Sequence, residues 1–145
     1  MTTQHDIPAP NPDLATLERL IGTWQISGDA VGQVTYEWMP GGFFVLQRYQ
    51  LTLFGHTVDG IEVIGHAQPF GQQPSPDIHS RAYDNTGNTL DYVYDITDDV
   101  LTIWGGERDS TSYFRGRFTD DDTNTGEWVY EGGGGYATTM TRITP

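Results

Sequence analysis

Gly22-Thr23-Trp24 opens the first extended run of this chain, and Met140-Thr141-Arg142 closes the last. Between them lie short runs rich in Val, Ile, Thr, Tyr, Phe and Trp, cut by Gly, Asp, Asn and Pro clusters, which is the punctuation of successive β-strands. If such a sheet closes on itself, the first strand pairs antiparallel with the last, so the start of one lies beside the end of the other. That places Trp24 against Arg142. A guanidinium over an indole face contributes ~0.5–2 kcal/mol and would seal one end of a tube.

About ten such runs can be counted, near 23–27, 33–39, 43–54, 60–67, 78–83, 89–96, 100–105, 111–119, 127–131 and 136–143. Most linkers between them are of hairpin length, which implies up-and-down connectivity. The exception is 68–77, with Pro69, Pro74 and Pro76, expected to form a mobile loop at a barrel mouth. Ahead of the strands, Asp13 is a candidate N-cap, and Leu14, Leu17, Leu20 and Ile21 recur at helical spacing before Gly22 stops the segment. The expected fold is therefore all-β: a roughly ten-stranded antiparallel up-and-down barrel with a short N-terminal helix covering one end. Residues 1–12, punctuated by Pro8, Pro10 and Pro12, read as a flexible leader, and 13–145 as a single barrel domain.

Composition narrows the functions. The formal net charge is -13, and the basic side chains are seven arginines with no lysine, so the surface repels phosphate backbones and anionic lipid. Nucleic-acid and membrane partners are not expected. Without cysteine there are no disulfides, thiolate nucleophiles, or cysteine-ligated zinc or iron–sulfur sites. No apolar run approaches the ~20 residues of a membrane-spanning helix, and Met1 to Pro12 has neither a basic nor an apolar block, so the expected location is cytoplasmic.

Side-chain alternation assigns faces. The loop at Met39-Pro40-Gly41-Gly42 predicts Trp38 opposite Phe43 and Tyr36 opposite Val45 on an interior face that continues through Gln47 and Tyr49. The turn at Asp84-Asn85-Thr86-Gly87-Asn88 pairs Ser80 with Tyr92 and Ile78 with Tyr94 inside, and Arg81 with Asp91 outside. A tight Asp98-Asp99 turn then aligns Ile96 with Leu101 and Tyr94 with Ile103. In 111–119, apolar count turns Phe114 and Phe118 inward rather than Tyr113, Arg115 and Arg117. Trp128 and Tyr130 share one face of the ninth run, and the glycines at 132–135 suggest a pliable flap.

The short helix, the Gly-x-Trp at the head of strand one, the antiparallel strands and the terminal arginine together resemble the lipocalin-like, or calycin, group of β-barrels. The nearest likeness is to a bacterial domain-of-unknown-function family, carried by Gly22-Thr23-Trp24, Met39-Pro40-Gly41-Gly42-Phe43-Phe44, Leu101-Thr102-Ile103-Trp104, Gly116-Arg117-Phe118 and Met140-Thr141-Arg142. This resemblance covers nearly all of the chain after Asp13 and implies an internal pocket for a small hydrophobic or aromatic molecule. Nitrobindin-like members hold haem through a histidine near the C-terminal strands. The histidines here are His5, His56, His66 and His79, and none follows Tyr83, so haem is not expected and no other cofactor is implied.

Candidate ligand-binding residues are the inward aromatics Tyr36, Trp38, Tyr49, Tyr92, Tyr94, Trp128 and Tyr130, with Gln47 and the tyrosine hydroxyls to orient a guest entering near 68–77. Plain packing is the alternative reading of the same residues. Glu62 and His66 share a strand face with Ile64; the pattern leaves open which face of 60–67 is interior, and if it is this one they form a candidate acid–base pair, the basis of a second hypothesis in which the barrel is a cofactor-independent cyclase, isomerase or hydrolase. A third reading is a filled structural or interaction module. Asp120, Asp122, Asn124 and Glu131 fall at calcium-loop spacing, but the glycine is misplaced and the flanks read as strands, so no metal site is expected. Outward Phe44, Leu46, Phe54 and Trp104 suggest an apolar patch suited to a homodimer.

Overall fold

The computed structural model describes residues 8–145. Ten antiparallel strands close into one barrel in the cyclic order β1-β10-β9-β8-β7-β6-β5-β4-β3-β2. They are β1 (Gly22–Gly28), β2 (Ala30–Trp38), β3 (Phe44–Leu53), β4 (His56–His66), β5 (Ile78–Asp84), β6 (Thr89–Thr97), β7 (Val100–Gly105), β8 (Tyr113–Asp120), β9 (Thr123–Val129) and β10 (Tyr136–Thr144). Every strand has two neighbours, so no sheet edge is left open to other chains. Of the leader, residues 1–7 lie outside the described part. Pro8 to Asn11 carries no regular structure.

The leading segment is a 3-10 helix over Pro12–Leu20. Its buried residues are Leu14, Leu17 and Leu20, and a strict spacing of three is what a helix of three residues per turn stacks on one face. Asn11 is the N-cap, not Asp13: its side chain accepts a hydrogen bond from the Asp13 amide, while Pro12 occupies the first turn, where no amide is needed. The Asp13 carboxylate is thereby left for His66.

The leucine stripe seals the end of the barrel where β1 begins, and Trp24 is fully buried beneath it. The Trp24 indole donates to the Leu20 carbonyl at 2.8 Å, and the Arg142 guanidinium lies 4.2 Å from the indole ring centre. Trp24 and Arg142 are register partners in the β1–β10 ladder, the juxtaposition expected for a closed sheet. Arg142 also donates to the carbonyls of Ile21 and, at 2.8 Å, Arg19, which are the free acceptors at the end of the helix, and to Asp122 in the β8–β9 turn at 2.9 Å. Gly22 is fitted to this junction by its φ of +126° and by the Thr144 carbonyl and Arg142 guanidinium, which occupy the space a Cβ would need.

The hairpin registers follow the sequence parity. Ile78 pairs with Tyr94, Ser80 with Tyr92, Arg81 with Asp91, Ile96 with Leu101, and Tyr94 with Ile103. Phe114 and Phe118 are buried, and Arg115 and Arg117 face solvent. Between β2 and β3 the expected pairing slips by two: Trp38 meets Val45 and Tyr36 meets Gln47. The turn there is wider, closed by hydrogen bonds from Met39 N to Phe44 O and from Gly42 N to Met39 O. A slip of two preserves which side chains face in.

The loop 68–77 is not at the mouth. It joins the end of β4 to the start of β5, and such even-to-odd connections lie at the helix-sealed end, where the Ser75 carbonyl meets His66. The open end is ringed instead by the β1–β2, β3–β4, β5–β6, β7–β8 and β9–β10 hairpins, including the glycines at 132–135. Nor do the four outward apolar residues form one patch. Phe44 and Phe54 sit at opposite ends of β3, roughly 33 Å apart at the rise of an extended strand. Trp104 is buried on the outer face with Arg108 over its ring at 4.8 Å.

Arg142→Ala removes the cation–π contact and leaves the Ile21 and Arg19 carbonyls without donors, with an expected loss of about 3 kcal/mol. In urea unfolding, where small domains lose about 2 kcal/mol per molar, the midpoint should fall by roughly 1.5 M, and an unchanged midpoint would refute the clasp.

Candidate functional site

The half of the barrel away from the helix is hollow. A cavity of about 330 Å³ runs inward from the open end. Its walls include Tyr36, Gln47, Tyr49, Tyr92, Tyr94, Trp128 and Tyr130, which the alternation pattern turns inward, and Glu62, whose facing the sequence left open. They meet here because each lies on an inward parity position of β2, β3, β4 or β6, or along the inner side of β9 and its exit. The wall also holds Leu51, Leu53, Ala82, Asp84, Ile103, Phe114, Tyr136 and Met140; of these the sequence places Ile103 and Phe114 inside, but it names none of the eight as ligand-binding. Leu51 and Leu53 continue the Gln47-Tyr49 face at every second residue, so the same parity could have found them.

Trp38 and His66 are absent from this wall. Trp38 keeps inward parity, but it stands at the sealed end, beside Pro10, Pro12 and Leu14, and its indole donates to Glu18 Oε1 at 2.9 Å. His66 stands at the same end. Its Nε2 lies 2.8 Å from Asp13 Oδ1 and its Nδ1 2.7 Å from the Ser75 carbonyl, so both ring nitrogens are occupied in tying β4 to the helix and to the following loop. Four residues along a strand separate it from Glu62 by about 13 Å. The expected Glu62–His66 acid–base pair therefore does not form, and His66 is a structural clasp.

Glu62 itself is 5% exposed and sits among aromatic rings. Among the described residues its carboxyl accepts one hydrogen bond, from the Tyr94 hydroxyl to Oε2 at 2.7 Å, and it enters no ion pair. Burial raises its pKa above the ordinary value of 4.5, and the nearby hydroxyls of Ser80 and Tyr94 draw it part of the way back. Ser80 Oγ makes no hydrogen bond of its own within the described residues. Across the cavity rim Asp84 behaves in the opposite way. It accepts from the Thr86 and Asn88 side chains and amides within its own turn, which lowers its pKa to about 2.

The tyrosines are acids kept in reserve by their surroundings. Burial, reinforced by the Glu62 charge, pushes Tyr49 up to about 12 and raises Tyr36, Tyr92 and Tyr94 further. Their hydroxyls stay protonated at any ordinary pH and serve as hydrogen-bonding groups, not nucleophiles. Trp128 anchors an aromatic wall, tilted against Tyr92 and Phe114 at 5.7 and 5.6 Å and stacked on Tyr130 at 6.0 Å; Tyr130 in turn meets Tyr136 at 6.5 Å.

The calcium-loop spacing assembles nothing. Asp122 turns out to Arg142, while Asn124 turns into the barrel, where its amide is buried without a partner. No cluster of three or more potential metal ligands occurs among the described residues. No helix among them is long and apolar enough to cross a membrane. In comparisons with known proteins, no family model matches the chain and no curated protein sequence does.

Because the folded chain holds the Glu62 proton more tightly than the unfolded chain, this carboxyl favours folding at and below its unfolded value of 4.5. That contribution is lost as pH rises towards the raised folded value. Glu62→Gln keeps an acceptor for Tyr94 and cannot ionise, so its urea midpoint should gain on that of the wild type as pH is raised from ~5 to ~8. A constant offset across that range would show that Glu62 is not held away from water.

Proposed function

We propose that this protein is a small-molecule-binding barrel that holds an apolar or aromatic guest in its cavity, as the resemblance to lipocalin-like proteins implies. The observation that supports this most is the hollow itself. The sealed half buries its leucines, valines and isoleucines tightly, whereas the open half keeps about 330 Å³ free, within the ~300–1000 Å³ range of ligand pockets. A filled structural module has no use for such a space. Apolar side chains supply burial, and a few polar tips, chiefly Glu62, Gln47 and the tyrosine hydroxyls, orient the guest. The open end, not the proline-rich loop, is the entrance.

The raised carboxyl touching a phenolic hydroxyl favours a second reading, a cofactor-independent isomerase, cyclase or hydrolase in which Glu62 alone moves a proton. It lacks the partner that His66 would have supplied. Binding without turnover is the simpler use of the site.

A neutral bicyclic probe such as 2-naphthol should quench the fluorescence of Trp128 with one-to-one stoichiometry. Ala82→Phe, which places a ring in the cavity, should abolish the response, while His66→Ala leaves it as in the wild type. Quenching that survives Ala82→Phe, or depends on His66, would contradict binding in this cavity.

A further inference from the structure

We propose that the guest is a small aromatic or cyclic amine, held as its ammonium by Glu62. This rests on the reading of the barrel as a binding vessel and names the class of molecule it takes.

The reason is a buried carboxyl without a cationic counterpart. A carboxyl is rarely buried unless a cation or several hydrogen bonds accompany it, and Glu62 has one hydrogen bond, from Tyr94, with the Ser80 hydroxyl nearby and no cation. The described residues offer no replacement. The chain contains no lysine, and five of its arginines are engaged at the surface or the sealed end with Asp99, Glu37, Asp91, Asp77 and Asp122. Arg115 and Arg117 are exposed on the outer face of β8, and His66 is fixed at the far end. Among the described residues no cationic side chain lines the cavity. The missing partner is then a group that arrives with the ligand.

Three further features agree with an organic cation. Aromatic faces surround the acid, and such faces attract ammonium groups as well as rings. Asp84 at the rim stays ionised, and the whole chain is strongly acidic, so cations are drawn towards the mouth while fatty acids and other anions are repelled. The volume, at the low end of the range for ligand pockets, fits one or two rings and not a long chain or a tetrapyrrole.

Protons balance simply. Burial makes the empty site hold the Glu62 proton more tightly than water would; as the ammonium enters, any proton on the carboxyl passes to solvent and a carboxylate–ammonium pair remains. Affinity for the amine must therefore rise with pH until the amine itself begins to lose its charge. The groups facing Glu62 do not interfere. They are Tyr36 from β2, Gln47 and Tyr49 from β3, Ser80 from β5, and Tyr92 and Tyr94 from β6, with Asp84 at the rim. The tyrosines titrate far above this range and Asp84 far below it.

Isothermal titration of the full chain with 2-phenylethylamine, 2-phenylethanol and 3-phenylpropionate tests the proposal, since the three share a ring and differ in charge. Near pH ~7.5 the amine should bind at least about tenfold more tightly than the alcohol, with the acid weakest, as expected for a desolvated charge-assisted contact. Near pH ~5.5 the advantage of the amine should shrink, a readout that requires no variant. Glu62→Gln should bring amine and alcohol to within about twofold of each other. If the alcohol or the acid binds as well as the amine, or the preference survives in Glu62→Gln, the amine is wrong and the vessel stands. If none of the three binds at millimolar concentration, both fall.

Discussion

Arg142 is the single side chain on which the architecture turns. Its guanidinium covers the Trp24 indole, donates to the two free carbonyls at the end of the helix, and pairs with Asp122 in the β8–β9 turn. One group thus ties the first strand to the last, the helix to both, and a neighbouring turn to all three. An open ten-stranded sheet would leave two long edges and no inside. Closure removes the edges and creates a lumen, and the leucine stripe of the helix decides that only one half of it is filled.

From that division the chemistry follows. At the sealed end, polar side chains are used up as fasteners: His66 between Asp13 and Ser75, and Trp38 on Glu18. At the open end they are left with capacity to spare, as the Glu62 carboxyl shows by accepting from Tyr94 alone. A barrel that placed a carboxyl in such a position for packing would do better with glutamine or leucine, because burying an ionisable group without a partner opposes folding. The cost is intelligible if the partner is the guest.

Much of this was legible from residue order because strands alternate with period two. Parity places Tyr92 and Tyr94 inside from two independent hairpins and survives the two-residue slip at the Met39 turn, while in 111–119, where parity is ambiguous, apolar count turns Phe114 and Phe118 inward. What parity lacks is height along the axis. Glu62 and His66 share a face yet stand at different levels, one in the cavity and one under the helix, and Trp38 was misplaced for the same reason. The entrance was assigned by the length and proline content of 68–77, although connection order decides it: the helix precedes β1, so every even-to-odd loop returns to the helix end. The short helix was legible, and the leucine spacing of three is that of the tighter 3-10 turn.

Closure leaves the Glu62 carboxyl buried in the wall of the hollow, with no cationic side chain among the described residues lining it. Carboxyl-carbon NMR of the empty protein, with glutamate side chains labelled with carbon-13, tests this most directly. Glu62 should titrate clearly above the ordinary glutamate value of 4.5 and shift when an amine is added; titration at or below that value, unmoved by the amine, would contradict the account.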